Sequence, residues 1–218
     1  MKLDKLNKKI INCKKCPRLV SYIRDISEKK VRRFKDGKYW GKPLTGFGDS
    51  NGKLLIIGLA PAAHGGNRTG RMFTGDSSGD WLAKALYENG FASQPSSQSA
   101  NDGLELVDAY ITASVRCAPP ENKPTKEEFE NCFPYLVEEF SLLKVKVIVC
   151  LGRIAFDTCC KLLGVKGVEF SHGKSFTHQN LTIICSYHPS RQNTQTGRLK
   201  WKQWTSIFAK ARKVLDKK

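Results

Sequence analysis

The chain has 218 residues, 40% of them hydrophobic, and 37 Lys and Arg against 20 Asp and Glu give it a net charge of +17. This length suits one domain with a single core. No apolar run is long enough to span a bilayer and no signal-peptide pattern follows the Lys-rich start, so we expect a cytoplasmic protein without a membrane partner. The excess of positive charge lies in 1–42 and 198–218, which favours nucleic acid as the partner, the alternative being a lysine-rich surface that only aids solubility.

Apolar runs recur along the chain at positions that predict buried strands. Four of them have the near-continuous hydrophobicity of strands covered on both faces: 53–60, 108–115, 144–152 and 181–189. Helical patterns separate these runs, and this alternation predicts an α/β fold with a central, mostly parallel four-stranded sheet in one domain spanning 1–218.

Three helices carry recognisable boundary signals. Thr125 and Glu128 form a capping box at the start of one helix, and the helix that begins at Arg153 ends at Gly164. The segment 198–215 has an apolar stripe with Lys and Arg on its other faces, which predicts an amphipathic helix. By contrast, 89–103 is rich in Ser, Gln, Asn and Gly, and we predict a mobile loop there.

The loop after the first strand, GLAPAAHGGNRTGRMFTGD (58–76), combines glycines with two cations and an aromatic ring. Ligands bind at the carboxyl edge of open α/β sheets, where this loop and 188–197 are expected to meet. The loop resembles a phosphate-binding Walker A motif, but Arg71 and Met72 replace the lysine and the hydroxyl residue, so a nucleoside triphosphatase is not expected. Its free N–H groups and arginines suit a phosphodiester backbone, and Phe73 suits a flat base unless it only anchors the loop in the core.

Two histidines are candidates for the same edge. His188 follows the last strand and precedes a proline that ends it, which favours a ligand-facing histidine over a core histidine. His64 lies within the glycine-rich loop and is the second candidate.

Eight cysteines in a chain expected inside the cell indicate thiols or a metal site and not a disulfide framework. Cys13 and Cys16 form a C-x2-C pair, and Cys117 and Cys132 lie beside prolines around the start of the helix that follows the second predicted strand. Four such thiolates fit structural zinc or a [4Fe–4S] cluster, or they are ordinary thiols. The others lie at apolar positions that predict core packing: Cys150, Cys159, Cys160 and Cys185.

Together, 58–76, the segment HPSRQNT (188–194) and the four cysteines resemble the family 5 uracil-DNA glycosylases, and the similarity extends over about residues 13–200. The resemblance implies the three-layer fold of that family, with the N-terminal segment tied to the sheet by a structural [4Fe–4S] cluster whose ligands lie within 13–132. It also implies a repair enzyme that flips uracil, and other deaminated bases, out of DNA and hydrolyses the N-glycosidic bond. The alternative is a non-catalytic iron–sulfur or zinc protein of the same fold that binds nucleic acid.

The resemblance also implies roles for individual residues. His188 would donate a hydrogen bond to the oxyanion of the departing uracil. Because Ala62 and Ala63 stand where most uracil glycosylases place a carboxylate or amide, Asp76 is expected to position the attacking water, with Asn122 as the second candidate. The residues expected to bind the base and the DNA are Gly58, Ala60, Pro61, His64, Phe73, Ser190, Arg191 and Gln192.

The expected substrate is uracil-containing DNA, double- or single-stranded, acted on by a monomer, with a sliding clamp as a further candidate partner. Ala113 stands where the related family 4 enzymes carry a base-reading asparagine, which implies looser selectivity for uracil.

Overall fold

The chain folds around a six-stranded sheet, as a computed structural model that describes residues 2–217 shows. The strands are β1 (Phe47–Gly48), β2 (Leu54–Gly58), β3 (Ala109–Ala113), β4 (Val147–Leu151), β5 (Ser175–His178) and β6 (Leu181–Ser186). The helices of this part of the chain are α1 (Lys2–Ile11), α2 (Pro17–Lys29), α3 (Gly66–Thr69), α4 (Ser77–Glu88), α5 (Lys126–Leu142), α6 (Arg153–Leu163), α7 (Arg191–Gln195) and α8 (Trp201–Leu215). Short 3₁₀ turns occur at Arg32–Phe34 and Pro120–Asn122.

The sheet is mixed, with the strand order β1-β3-β2-β4-β6-β5. Its four central strands are parallel and correspond to the four predicted runs. The predicted number of four strands is wrong, because β1 and β5 add an antiparallel strand at each edge. These edge strands have two and four residues, and both lack the continuous apolar run by which the central strands were identified.

Helices cover both faces of the sheet because successive residues of each strand point in opposite directions. In β2, Leu54 and Ile56 pack into a core beneath α4 and α8, whereas Leu55 and Ile57 pack into a second core against α6. The predicted capping box of α5 is confirmed, with Glu128 Oε2 accepting from Thr125 N at 2.7 Å. Within residues 2–217, no helix is both long and apolar enough to cross a membrane.

The segment 89–103, predicted to be a mobile loop, is tied to the glycine-rich loop by the buried side chain of Arg71. The Arg71 guanidinium donates to Ser97 Oγ at 3.0 Å and to both carboxylate oxygens of Asp102 at 2.9 Å. Arg71 is only 6% exposed. Its charge is therefore neutralised within the protein, which corrects the expectation that both arginines of the glycine-rich loop are available to phosphate.

The N-terminal segment packs on the rest of the chain through a small third core. Leu19 and Ile23 of α2 contact Val115 and Ala118, which follow β3. The guanidinium of Arg18 also donates to both oxygens of Glu128, at 2.8 and 2.7 Å. This packing brings the start of the chain to the end of the sheet where the polar loops emerge.

Candidate active site

A cavity of 860 Å³ lies at the carboxyl edge of the parallel strands. Its walls come from the loops after β2, β4 and β6 and from the turn at Pro120–Asn122. Nine of the eleven residues predicted to act on the base or the DNA line it: Ala60, Pro61, Phe73, Asp76, Asn122, His188, Ser190, Arg191 and Gln192. We refer to it as the active-site cavity.

Gly58 does not line the cavity but supports the ring that does. A side-chain Cβ at Gly58 would lie 2.8 Å from the Phe73 ring, so the absence of a side chain is what lets Phe73 rest on the end of β2. Phe73 has a φ of +49°, which is costly for an aromatic residue and is sustained here by packing on both sides. Phe73 thus combines the two predicted alternatives, because it packs against the core and also lines the cavity.

His188 lies beside Phe73, with their ring centroids 5.8 Å apart. Burial lowers the pKa of His188 to about 4, so the imidazole is neutral at physiological pH. Its backbone oxygen accepts a hydrogen bond of 2.8 Å from Asn193 Nδ2, which fixes the loop after β6. A neutral imidazole donates one N–H and accepts at the other nitrogen, so His188 can donate to a developing oxyanion without carrying a charge of its own.

Asp76 is the N-cap of α4. Its Oδ1 accepts from the backbone N–H groups of Ser78 and Gly79, both at 2.9 Å. The second carboxylate oxygen lies against Gly65, where a Cβ would collide with it. Burial raises the pKa of Asp76 from its ordinary value, and the two backbone donors oppose that rise.

Asn122 ends the 3₁₀ turn that reaches over the cavity. Glu121 and Asn122 both have a positive φ, of +53° and +57°, which non-glycine residues rarely adopt. Two consecutive residues with an unfavourable backbone conformation at the wall of a cavity are typical of functional sites, where proteins retain such strain. The side chain of Asn122 is exposed and lines the same cavity as Asp76 and His188.

The rim after β6 is a short helix where the sequence predicted a loop. Ser190 caps α7, its Oγ accepting from Asn193 N at 3.4 Å. Arg191 and Gln192 are exposed, and Arg191 Nε donates to Ser77 Oγ at 3.4 Å. The loop after β2 and the loop after β6 are thus joined at the rim.

His64 faces a different void. Its Nδ1 lies 3.0 Å from the hydroxyl of Tyr39, and burial, followed by the charge of Arg68, lowers its pKa. It lines a second cavity of 390 Å³ beside the first. His64 and His188 therefore line two neighbouring cavities and not one.

Sequence reasoning missed the loop after β4. Gly152, Arg153 and Ile154 line the active-site cavity, and Ile154 is 45% exposed. The signal was present, because β4 is parallel to β2 and β6 and its carboxyl end must reach the same edge.

The four cysteines of the predicted metal site lie near one another. Cys16, Cys117 and Cys132 belong to one buried core, and Cys13 is partly exposed. Burial and the neighbouring thiols raise the pKa of Cys117, and burial raises that of Cys132 to about 11. Cys16 Sγ accepts a hydrogen bond of 3.6 Å from Asn131 Nδ2, a donor that would stabilise a thiolate.

All four candidate ligands of the predicted metal site are cysteine thiols. Within residues 2–217 no three His, Cys, Asp or Glu side chains are close enough together, as they stand, to hold a single metal ion. Thiolates are the donor type of structural zinc sites and of iron–sulfur clusters alike, so the residues fit either group.

The four cysteines predicted to be core residues are free thiols that line the second core. Cys150, Cys159 and Cys185 are buried, and Cys160 is partly buried against the same core. Burial raises the pKa of Cys185 to about 12, as expected for unreactive thiols.

Comparison with known proteins finds similarity over almost the whole chain. Residues 45–212 match the family model described as the uracil DNA glycosylase superfamily. The chain is 43% identical to a type-5 uracil-DNA glycosylase of Pyrobaculum aerophilum, covering 95% of this chain and 91% of that protein. It is 45% identical to a type-5 uracil-DNA glycosylase of Mycobacterium leprae, covering 97% and 95%, and 29% identical to a type-4 uracil-DNA glycosylase of Pyrobaculum aerophilum, covering 87% and 84%.

Proposed function

The chain belongs to the uracil-DNA glycosylase superfamily and, within it, to the type-5 enzymes, and we propose that its active-site cavity receives a flipped deoxyuridine and hydrolyses the N-glycosidic bond. The observation that carries this assignment is the convergence of Asp76, Asn122 and His188 on one cavity. Its 860 Å³ falls within the range of about 300–1,000 Å³ typical of ligand sites. A base stacked in a duplex cannot reach groups at this depth, so the nucleotide must rotate out of the helix before reaction.

Phe73 and His188 form the base end of the site in this assignment. The Phe73 ring lines the cavity and offers a face on which a pyrimidine can stack. As the glycosidic bond lengthens, negative charge grows on the uracil oxygens. His188, neutral because its pKa is about 4, then donates a hydrogen bond that strengthens as the charge develops, which lowers the barrier more than it tightens substrate binding.

Asp76 and Asn122 form the sugar end. Oδ1 of Asp76 is engaged by two backbone donors, so the carboxylate is held in one orientation. Its second oxygen is left to orient a water and to stabilise the positive charge that develops on the deoxyribose. Asn122, without a charge, would hold the same water through its amide.

Basic residues at both ends of the chain would hold the DNA backbone around this cavity. The excess of positive charge in 1–42 and 198–218 suits phosphates on either side of the flipped nucleotide, in duplex or single strand. We expect a monomer acting in the cytoplasm where its substrate is found, with a sliding clamp as a candidate partner. Ala113, which is buried at the end of β3, offers no polar group for reading uracil, and we include other deaminated bases among the substrates.

A [4Fe–4S] cluster on Cys13, Cys16, Cys117 and Cys132 is part of the proposal. The gathered thiols and the N–H donor to Cys16 support it. When bound it would supply a structural cross-link between the N-terminal segment and α5, with no part in the hydrolysis.

Release of free uracil from a labelled oligonucleotide tests the proposal. The wild-type protein and a control variant, His178→Ala on the edge strand β5, should release uracil and leave an abasic site. His188→Ala should release far less. Tight binding without any release by the wild-type protein would instead support the non-catalytic alternative.

A further inference from the structure

The second cavity adjoins the active-site cavity and has a different chemistry. The two share part of their lining: Ala62, Asp76, Glu121, Asn122 and Arg191. Its remaining walls include Tyr22, Arg33, Phe34 and His64. The two voids are therefore neighbours on one face of the molecule, and a chain that occupies one can continue into the other.

Arg33 is a positioned cation at the outer wall of this second cavity. Its guanidinium lies 5.0 Å from the centroid of the Phe34 ring, a contact that orients the side chain. The same ring is contacted by Arg68 at 3.9 Å. Within residues 2–217, Arg33 forms no ion pair and no side-chain hydrogen bond, whereas Arg68 is anchored by the backbone oxygens of His64 and Gly75 at 2.8 and 2.9 Å.

The positive charges around this wall are only partly balanced locally. Burial lowers the pKa of Arg68, the charge of Arg33 acts in the same direction, and Tyr39 and Asp76 oppose it. Burial followed by the charge of Arg68 lowers the pKa of His64. Two carboxylates also line the cavity, but Asp76 lies at the wall shared with the active-site cavity, where it caps α4, and Glu121 pairs with Lys123 at 3.0 Å. The end of the cavity near Arg33 is thus a place where an anion would be stabilised.

We propose that the second cavity holds the DNA strand adjacent to the flipped nucleotide, with the guanidinium of Arg33 contacting a phosphodiester of that strand. This inference rests on the proposed function, since the strand that delivers uracil to the first cavity can continue past the shared wall into the second. A phosphodiester matches the planar, oriented donors of a guanidinium. Because two guanidinium groups already contact the Phe34 ring, that ring positions Arg33 and is not a stacking surface for a base.

The chain supplies a matched control, because Arg32 is adjacent, equally charged and exposed but does not line the cavity. Binding would be measured by fluorescence anisotropy with a single strand that carries an uncleavable 2′-fluorinated deoxyuridine. Arg33→Ala should weaken binding roughly three- to fivefold, as for the stronger exposed charge pairs, and reduce the slope of log K against log salt by about 1. Arg32→Ala should change affinity less than about twofold.

Replacing single phosphates by neutral methylphosphonates locates the contact. At one position within a few nucleotides of the uracil, the neutral linkage should abolish the difference between wild type and Arg33→Ala, as in a double-mutant cycle. The inference is overturned if Arg33→Ala and Arg32→Ala weaken binding equally, or if the Arg33→Ala penalty persists at every neutral position. Uracil release by the wild-type protein from the matching cleavable strand is measured in parallel, so a failure of the glycosylase assignment is seen separately. Melting temperatures confirm that both variants remain folded.

Discussion

Substitutions at Asp76 separate its role as a helix cap from its proposed role in hydrolysis. The carboxylate accepts two backbone hydrogen bonds of 2.9 Å at the start of α4. Asp76→Ala removes both, and loss of an N-cap costs about 1 kcal/mol in free energy of unfolding, which for a chain of this size lowers the melting temperature by roughly 2–4 °C. Asp76→Asn keeps an acceptor oxygen, and asparagine caps helices as well as aspartate does. Only the charge opposite the helix dipole is lost, at about 0.3–1 kcal/mol.

Asp76→Asn, which should cost little stability, should nevertheless cost much of the activity. If the carboxylate orients water and stabilises the sugar cation, Asp76→Asn should slow single-turnover excision on the order of 100-fold, about 2.7 kcal/mol in barrier height, although the protein stays folded. Thr125→Ala is the matched control, because Thr125 caps α5 through Glu128 N and does not line the cavity. It should lower the melting temperature and leave excision unchanged.

Rates would be measured with enzyme in excess over a uracil-containing duplex, and stability by thermal melts monitored by circular dichroism. Excision by Asp76→Asn at the wild-type rate would refute the reasoning. Asp76 would then be a cap alone, and Asn122 would be left to position the water. Because burial raises the pKa of Asp76, the wild-type rate should decline on the acid side at a pH above the ordinary aspartate pKa.

Further outcomes are expected from the remaining parts of the assignment. His188→Ala should slow excision on the order of 10²–10³-fold with nearly unchanged DNA affinity; a parallel loss of affinity would contradict a role confined to the departing base. The pKa of His188 is about 4 in the folded protein against an ordinary value of 6.5, so the unfolded chain binds the extra proton first as the pH falls. The free energy of unfolding, measured by urea denaturation, should therefore decrease as the pH drops from 6.5 to about 4, and it should decrease less in His188→Gln. DNA affinity should fall steeply with salt, and a flat plot would mean that the terminal charges only aid solubility. The purified protein should be brown and contain iron and sulfide, whereas a colourless preparation with one zinc would exclude the cluster.

The central sheet was predictable because parallel strands covered on both faces must be apolar at nearly every position. The runs containing β2, β3, β4 and β6 carry that signature, and their residues are almost all buried. β1 and β5 were not predictable, because they are short and partly exposed and form only by pairing with β3 and β6.

The position of the site was predictable for a similar reason, but the fate of individual charges was not. Parallel strands send their carboxyl ends to one edge, so the loops containing Asp76 and His188 had to meet there. Arg71 belongs to the same glycine-rich loop but turns inward to Asp102, which lies 31 residues further along the chain. Local sequence carries no sign of such a partner, and composition alone counts Arg71 as a cation available to DNA.

The arrangement of the cysteines connects the metal site to the DNA surface. Cys117 and Cys132 are already held in place by protein contacts, because Arg116 donates to both carboxylate oxygens of Glu139 in α5, at 3.3 and 2.6 Å, in the interior. Cys13 and Cys16 belong to the N-terminal segment, and Cys16 leads directly into α2 and then to Arg33 at the second cavity. A cluster spanning the four thiols would therefore add most to the position of the N-terminal segment and least to the sheet. Loss of such a cluster should accordingly weaken DNA binding before it slows excision at saturating DNA, because His188 and Asp76 sit on loops that the sheet itself holds.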